Sequence, residues 1–279
     1  MTDQVVPARS PLLLIHPIGV GLSARFWDRF ISQWNEAGDR RELIAPNLLG
    51  CGSAPSPRQP LTPDDWATAL IEALQRRNSA PVILVSQGAS LPIALAVMTK
   101  APHLVSGLVA ISPPGWRVLK DSFPVERSQQ LWKWLFSGVI GNLFYRYARR
   151  RSFLKSFSEN NLFARHQDVD EEWLETLHQG SKEMDSRWAV FSFLAGFWRC
   201  GWEPALTAVS VPFLVVFGRS ATGIGRSSSW DDLQERLKTY SSKLNNAEIH
   251  TIEGRNVLPY ESTKPCVNCV QSWLQEISS

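Results

Sequence analysis

The chain has 279 residues, 44% hydrophobic and 20% charged, with a formal net charge of +3. That is enough apolar material for one large domain with an insertion, and the mild charge argues against nucleic acid as a partner. Four cysteines, Cys51, Cys200, Cys266 and Cys269, are too few for a disulfide framework and suit a reducing compartment.

The start does not read as a secretory signal. Asp3 comes early, no basic stretch precedes the apolar run, and Leu12 to Ile15 is too short. No stretch approaches the roughly 18 apolar residues of a membrane span. A cytoplasmic protein is expected, with peripheral membrane contact left open.

Pro11 to Ile15 reads as a strand, followed by a turn over Pro17 to Gly21 and apolar residues at helical spacing, Phe26, Phe30, Ile31 and Trp34. Glu42 to Ala45 is the next strand, and a loop rich in Gly, Pro and Ser runs from Pro46 to Pro60. Thr62-Pro63-Asp64-Asp65 opens a helix, with a capping hydroxyl and Pro at the first helical position. Pro81 to Val85 is a buried-type strand before a helix rich in Ala and Leu, and Gly107 to Ile111 is another strand. This alternation predicts a parallel sheet with helices on both faces.

The alternation then stops. From Gly115 to Cys200 no strand is evident, and six of the twelve Trp fall there; Trp188 to Trp198 reads as a buried helix. Strands resume at Val211 to Phe217 and Ala247 to Ile252, before a last helix near Val267 to Ile277. The expected organisation is a core of residues 1–114 and 206–279 with a helical cap, 115–205, inserted between the fourth and fifth strands. Cys266 and Cys269 sit one turn apart on the last helix, without the second Cys/His pair a metal site needs. His103, His166, His178 and His250 are scattered, so neither metal nor cofactor is expected.

Five segments, in order, resemble the α/β-hydrolase superfamily. They are His16-Pro17-Ile18-Gly19 after the first strand, Pro46 to Gly52 with Asn47 where Asp is usual, Val85 to Ser90 at the strand-to-helix turn, Phe217 to Ala221, and Gly254 to Glu261. The overall run of residues resembles hydrolase-like proteins of cyanobacteria and chloroplasts that lack the catalytic triad. About ten residues precede the first strong strand, too few for that fold's usual opening strands. The resemblance therefore implies about six parallel strands without that hairpin.

The resemblance also implies where the chemistry of a serine hydrolase would lie. The nucleophile position in Ser86-Gln87-Gly88-Ala89-Ser90 is Gly88. Ser86 and Ser90 flank it as packing residues. The acid position falls among Ser220, Ala221 and Thr222, with Ala221 the chosen equivalent, and the base position is Val257. The alternative acid position, after the fourth strand, holds Ser112-Pro113-Pro114. None of these can complete a Ser–His–acid unit. What remains is a residual site of His16, Ile18, Gln87, Gly88 and Ala89, with the amides of Ile18 and Ala89 as an oxyanion hole. His16 reads as structural rather than as a base. Arg219, Arg255 and Asn256 read as solvated, with anion binding as the alternative.

Between Gly115 and Asn160 nine basic residues stand against three acidic ones, a balance of +6, and the sign reverses from Asn161 to Val190. Trp132, Trp134, Tyr145, Tyr147, Arg149, Arg150 and Arg151 form a candidate surface for a ligand, a partner or an anionic membrane. The competing reading has the aromatics lining a pocket and the charges paired with the acidic half. Two functions follow. One is a pseudoenzyme that binds an apolar small molecule or a protein partner. The other is an enzyme of the superfamily (hydrolase, lyase or cofactor-independent oxygenase) using His16 and the backbone oxyanion hole.

Overall fold

The computed structural model describes residues 10–224 and 231–278. The expected outer ends of the core, residues 1–9 and Ser279, lie outside that range, as does the segment 225–230.

Six parallel strands form one sheet: β1 (Leu12–Ile15), β2 (Leu43–Ile44), β3 (Val82–Gln87), β4 (Val105–Ile111), β5 (Phe213–Gly218) and β6 (Ala247–Ile252). They are ordered β2-β1-β3-β4-β5-β6. The alternation of side chains along each strand feeds two separate cores. Leu13, Ile15, Leu84 and Val215 point to one face, and Leu12, Leu14, Ile83, Val85 and Leu214 to the other.

The first face is covered by α2 (Pro63–Arg76) and α3 (Leu91–Lys100), and the second by α1 (Asp28–Glu36). The opening of α2 is fixed locally, because Thr62 N–H and Oγ1 both donate to Asp65 (2.8 and 2.6 Å). Between β4 and β5 the chain forms helices joined by loops, with no strand: α4 (Trp116–Lys120), α5 (Val125–Leu131), a π-helical turn (Trp132–Phe136), α6 (Val139–Ala148), α7 (Arg151–Asn161), α8 (Glu171–Gly180), α9 (Arg187–Leu194) and α10 (Glu203–Thr207). A third apolar cluster, Phe136, Tyr145, Trp188, Val190, Phe191 and Ala195, holds this segment together.

After β5 comes α11 (Leu233–Lys243), and after β6 come α12 (Leu258–Glu261) and α13 (Thr263–Glu276). The last helix thus begins earlier than the periodicity from Val267 implies, and it is preceded by a short separate helix. The reason is tertiary: Leu258, Pro259 and Tyr260 are buried, so the loop folds onto the core instead of continuing into α13. Strand β4 likewise starts at Val105, because a register shift at Val82/Ile83 lets pairing begin before Gly107.

Candidate functional site

Strand β3 ends at Gln87, and the chain reverses through Gly88 into a 3₁₀ turn, Gly88–Ser90, that runs on into α3. Gly88 has φ +59°, a left-handed conformation that costs glycine little and other residues more. Space is not the constraint, since a Cβ there would meet only the Ser112 carbonyl oxygen, at 4.0 Å. The flanking serines are buried and used as stitches. Ser90 Oγ accepts from Gln87 N–H (3.1 Å) and lies within reach of the Gln87 and Ile15 carbonyls, at 2.8 and 3.1 Å. Ser86 Oγ contacts the Val109 carbonyl at 3.4 Å.

Gln87 pairs with Ile111 across the sheet, which sets Ser112 beside the turn. Ser112 is a non-glycine residue at φ +46°, a sparsely populated conformation, and its N–H donates to the Val216 carbonyl (2.7 Å). The Ser112 hydroxyl and Gln87 Oε1 are both buried without a protein partner. Leaving such a group unpaired costs about 1–3 kcal/mol. Sequence reasoning weighed Ser112 only as a missing acid. Its strain arises from pairing between β4 and β5 and leaves no local sequence signal.

Gln87 Nε2 donates to the Asn256 carbonyl (2.6 Å). Asn256 Nδ2 reaches the carbonyls of Asn161 (2.8 Å) and Thr222 (3.2 Å). Arg255 donates to Thr222 Oγ1 from Nε and Nη2 (3.1 and 2.8 Å) and to the Asn160 carbonyl from Nη1 (2.6 Å). Arg255 and Asn256 were expected to be solvated, but Asn256 is buried and Arg255 half-buried, both bonded to the chain. They fasten the loops after β5 and β6 to the end of α7. Arg219 is exposed and paired with Glu253 (2.6 Å).

This chain of bonds links Gln87, Asn256 and Thr222, the immediate neighbours of Gly88, Val257 and Ala221. Val257 and Ala221 are buried, and none of the three side chains can transfer a proton. Glu261, next along the same loop, accepts from the amides of Ala164 (2.9 Å) and Arg255. Burial pushes its carboxyl up nonetheless.

Sequence reasoning missed one carboxylate after β5. Asp231 is buried and held by Arg236 through Nε and Nη2, at 2.7 and 2.9 Å. Arg236 also donates to the Pro113 carbonyl (3.0 Å), so the pair locks the loop after β5 to the turn after β4. A shallow recess of about 40 Å³, room for roughly one water, opens beside this pair.

His16 is fully buried, with both ring nitrogens engaged. Nε2 accepts from Leu48 N–H (3.1 Å), so Nδ1 carries the proton toward the Pro17 carbonyl (2.9 Å). Burial lowers its pKa to about 4. It is neutral near pH 7, and its ring lone pair is already taken by the Leu48 amide. The Ile18 N–H has no partner among the described residues, and Ala89 N–H lies in an opening turn whose amides lack intrahelical acceptors. Cys51 is no substitute nucleophile, because burial pushes its thiol up to about 12.

The candidate surface on the helical segment splits. Tyr145 is fully buried, its hydroxyl 2.7 Å from Ser186 Oγ, and Trp132 is half-buried against Trp188. Arg149 donates to the carbonyls of Ser181 (3.3 Å) and Lys182 (3.0 Å), and Arg151 pairs with Glu171 and Glu175. Tyr145, Trp132 and Arg149 are thus tied into the fold, whereas the ion pairs of Arg151 lie at the surface. Trp134, Tyr147 and Arg150 remain exposed. Among the described residues, no group of three or more His, Cys, Asp or Glu side chains could hold a metal ion.

A family model described as "Alpha/beta hydrolase family" matches residues 12–268. Comparison with curated protein sequences finds no match. Among solved structures, a thermophilic esterase from Thermogutta terrifontis is similar at a TM-score of 0.73 and 18% identity, over 97% of this chain and 91% of that one. The epoxide hydrolase CorEH is similar at 0.72 and 17%, over 96% and 92%. A bromoperoxidase from Bacillus anthracis is similar at 0.71 and 17%, over 95% and 92%. At these identities the likeness concerns the fold.

Proposed function

The chain belongs to the alpha/beta hydrolase family, and we propose that within it this protein is a binder rather than a serine hydrolase. The carrying observation is the turn itself. Gly88 stands at the apex of the strand-to-helix reversal, in the left-handed conformation that such a turn demands, with open space where a nucleophile's side chain would start. Val257 and Ala221, on the two loops tied to that turn, cannot supply base or acid. Removing a whole triad costs about 10⁶-fold in rate in one studied protease. His16 gives no substitute, for the reason stated above.

The ligand is a small, mostly apolar molecule with one hydrogen-bonding group. One feature supports this reading. Beside Gly88, Gln87 Oε1 and the Ser112 hydroxyl are buried and unpartnered, one an acceptor and one able to donate or accept.

Fluorophosphonate probes and short-chain esters test the first half of the proposal. The protein stays unlabelled and turnover stays at background. Gly88→Ser alone does not change this, because no base or acid stands behind the new hydroxyl. Labelling of the unmodified protein at Ser86 or Ser90 would overturn the reading. Ligand binding is tested by thermal shift against a panel of apolar alcohols and amides. A larger shift for these than for matched hydrocarbons, lost in Gly88→Leu, is the expected result.

A further inference from the structure

The outer face of α6 is left largely uncovered by the described residues. Gly141, Tyr145 and Ala148 are buried, and the helix is clamped from behind, where Phe136 stacks on Phe191 at 4.9 Å and Tyr145 meets Ser186. On the other side Val139, Ile140 and Leu143 are exposed, with Tyr147 beside Phe153 and Trp134 on the π-helical turn, while Phe144 is partly exposed and reaches back to Phe136 and Phe191 (6.4 and 6.3 Å). Val139 is 72% exposed, Leu143 61% and Trp134 73%. Monomeric proteins rarely leave so continuous an apolar patch to water.

The charges around it are one-sided. From Arg127 to Ser158 the sequence contains no acidic residue. The acidic half of the segment is spent elsewhere: Glu171 and Glu175 pair with Arg151, and Asp168 pairs with Arg165. Lys133, Arg146 and Arg150 are exposed among the apolar residues and make no ion pair among the described residues. Lys133 and Arg150 instead lie over the rings of Trp134 and Tyr147, at 5.3 and 5.7 Å. No helix among the described residues is long and apolar enough to cross a membrane.

We propose that the α6 face docks peripherally on an anionic lipid bilayer. The aliphatic residues enter the acyl boundary, Trp134 and Tyr147 sit at headgroup level, and Lys133, Arg146 and Arg150 meet the headgroup phosphates. A second copy of this chain would satisfy the apolar residues but set like charges against each other, whereas an anionic bilayer satisfies both. This inference is independent of what happens at Gly88.

The test is co-sedimentation of the intact protein with vesicles of phosphatidylcholine alone or with one-third phosphatidylglycerol. The protein binds the anionic vesicles at low salt and binds them less as salt rises. The triple variant Lys133→Gln, Arg146→Gln, Arg150→Gln lowers the partition coefficient by about 100-fold at low salt, roughly fivefold per cation. Val139→Asn with Leu143→Asn lowers binding by about tenfold even at high salt, where apolar burial carries the interaction. Lipids brominated along the acyl chain quench a component of tryptophan emission that Trp134→Phe removes. All variants melt with the unmodified protein, so lost binding reports the surface and not unfolding. Three outcomes overturn the proposal. The protein could stay in the supernatant with anionic vesicles at low salt. Both sets of variants could bind undiminished. Or the protein could form a dimer that Leu143→Asn dissociates, with no vesicle binding.

Discussion

The turn at Gly88 and the outer face of α6 both gather residues of the kind that function uses, and they use them differently. Around the turn nearly every polar group is already committed: His16 to Leu48 and Pro17, Ser90 to Gln87, Asn256 to three backbone partners. Gln87 Oε1, the Ser112 hydroxyl and the Ile18 N–H are the exceptions among the described residues. On and beside α6, Val139, Ile140 and Leu143 are exposed, and Lys133, Arg146 and Arg150 make no ion pair among the described residues. A buried polar group must find a partner or the fold loses several kcal/mol. A crowded interior site therefore testifies first to folding, and function is read from its few unpaired atoms. An uncovered surface carries no such obligation, so what it lacks describes what it meets.

The largest expected effect lies in the interior. Arg236→Ala strands the Asp231 carboxylate and costs roughly 3–5 kcal/mol, read as a shift in the urea midpoint. A cost under 1 kcal/mol would mean that solvent reaches the pair, and the contrast with the surface would weaken.

Next comes His16. Its folded pKa, about 4, lies below its ordinary 6.5. The unfolded chain therefore takes up the proton first, and stability present above pH 6.5 is lost as pH falls toward 4. The full loss is about 3 kcal/mol. The slope between about pH 6.5 and 5 should flatten in His16→Asn. A slope unchanged by that substitution would place the titrating group elsewhere.

Smaller still, Gly88→Ser costs about 1 kcal/mol for the left-handed backbone and leaves esterase activity at background. The smallest effect is on α6, where Leu143→Asn changes stability by less than about 0.5 kcal/mol. A loss of 2 kcal/mol there, by thermal or urea denaturation, would show that the face is covered after all and erase the contrast.

Much of the architecture follows from the sequence because its causes are local. Continuous apolar runs make strands buried on both sides, Thr62-Pro63-Asp64-Asp65 caps its own helix, and a glycine at position 88 takes a left-handed turn without help. That Gly88, Val257 and Ala221 carry no side chain able to transfer a proton is likewise read from the residues alone. Which groups have partners is a different matter, since it depends on what lies opposite in space. Tyr145 and Tyr147 are two residues apart, yet one is sealed against Ser186 and the other faces water. Arg149, Arg150 and Arg151 read alike, yet the first holds two carbonyls, the last holds two glutamates, and the middle one is exposed beside Tyr147. Ser112 and the Asp231–Arg236 pair gain their character from β4 and β5 lying side by side. The residues that form these contacts are far apart in the chain, so helical periodicity and motif spacing hold no record of them. The packing of α6 against Phe191 and of the β6 loop against α7 decided which side chains were spent on the fold and which were left for something else.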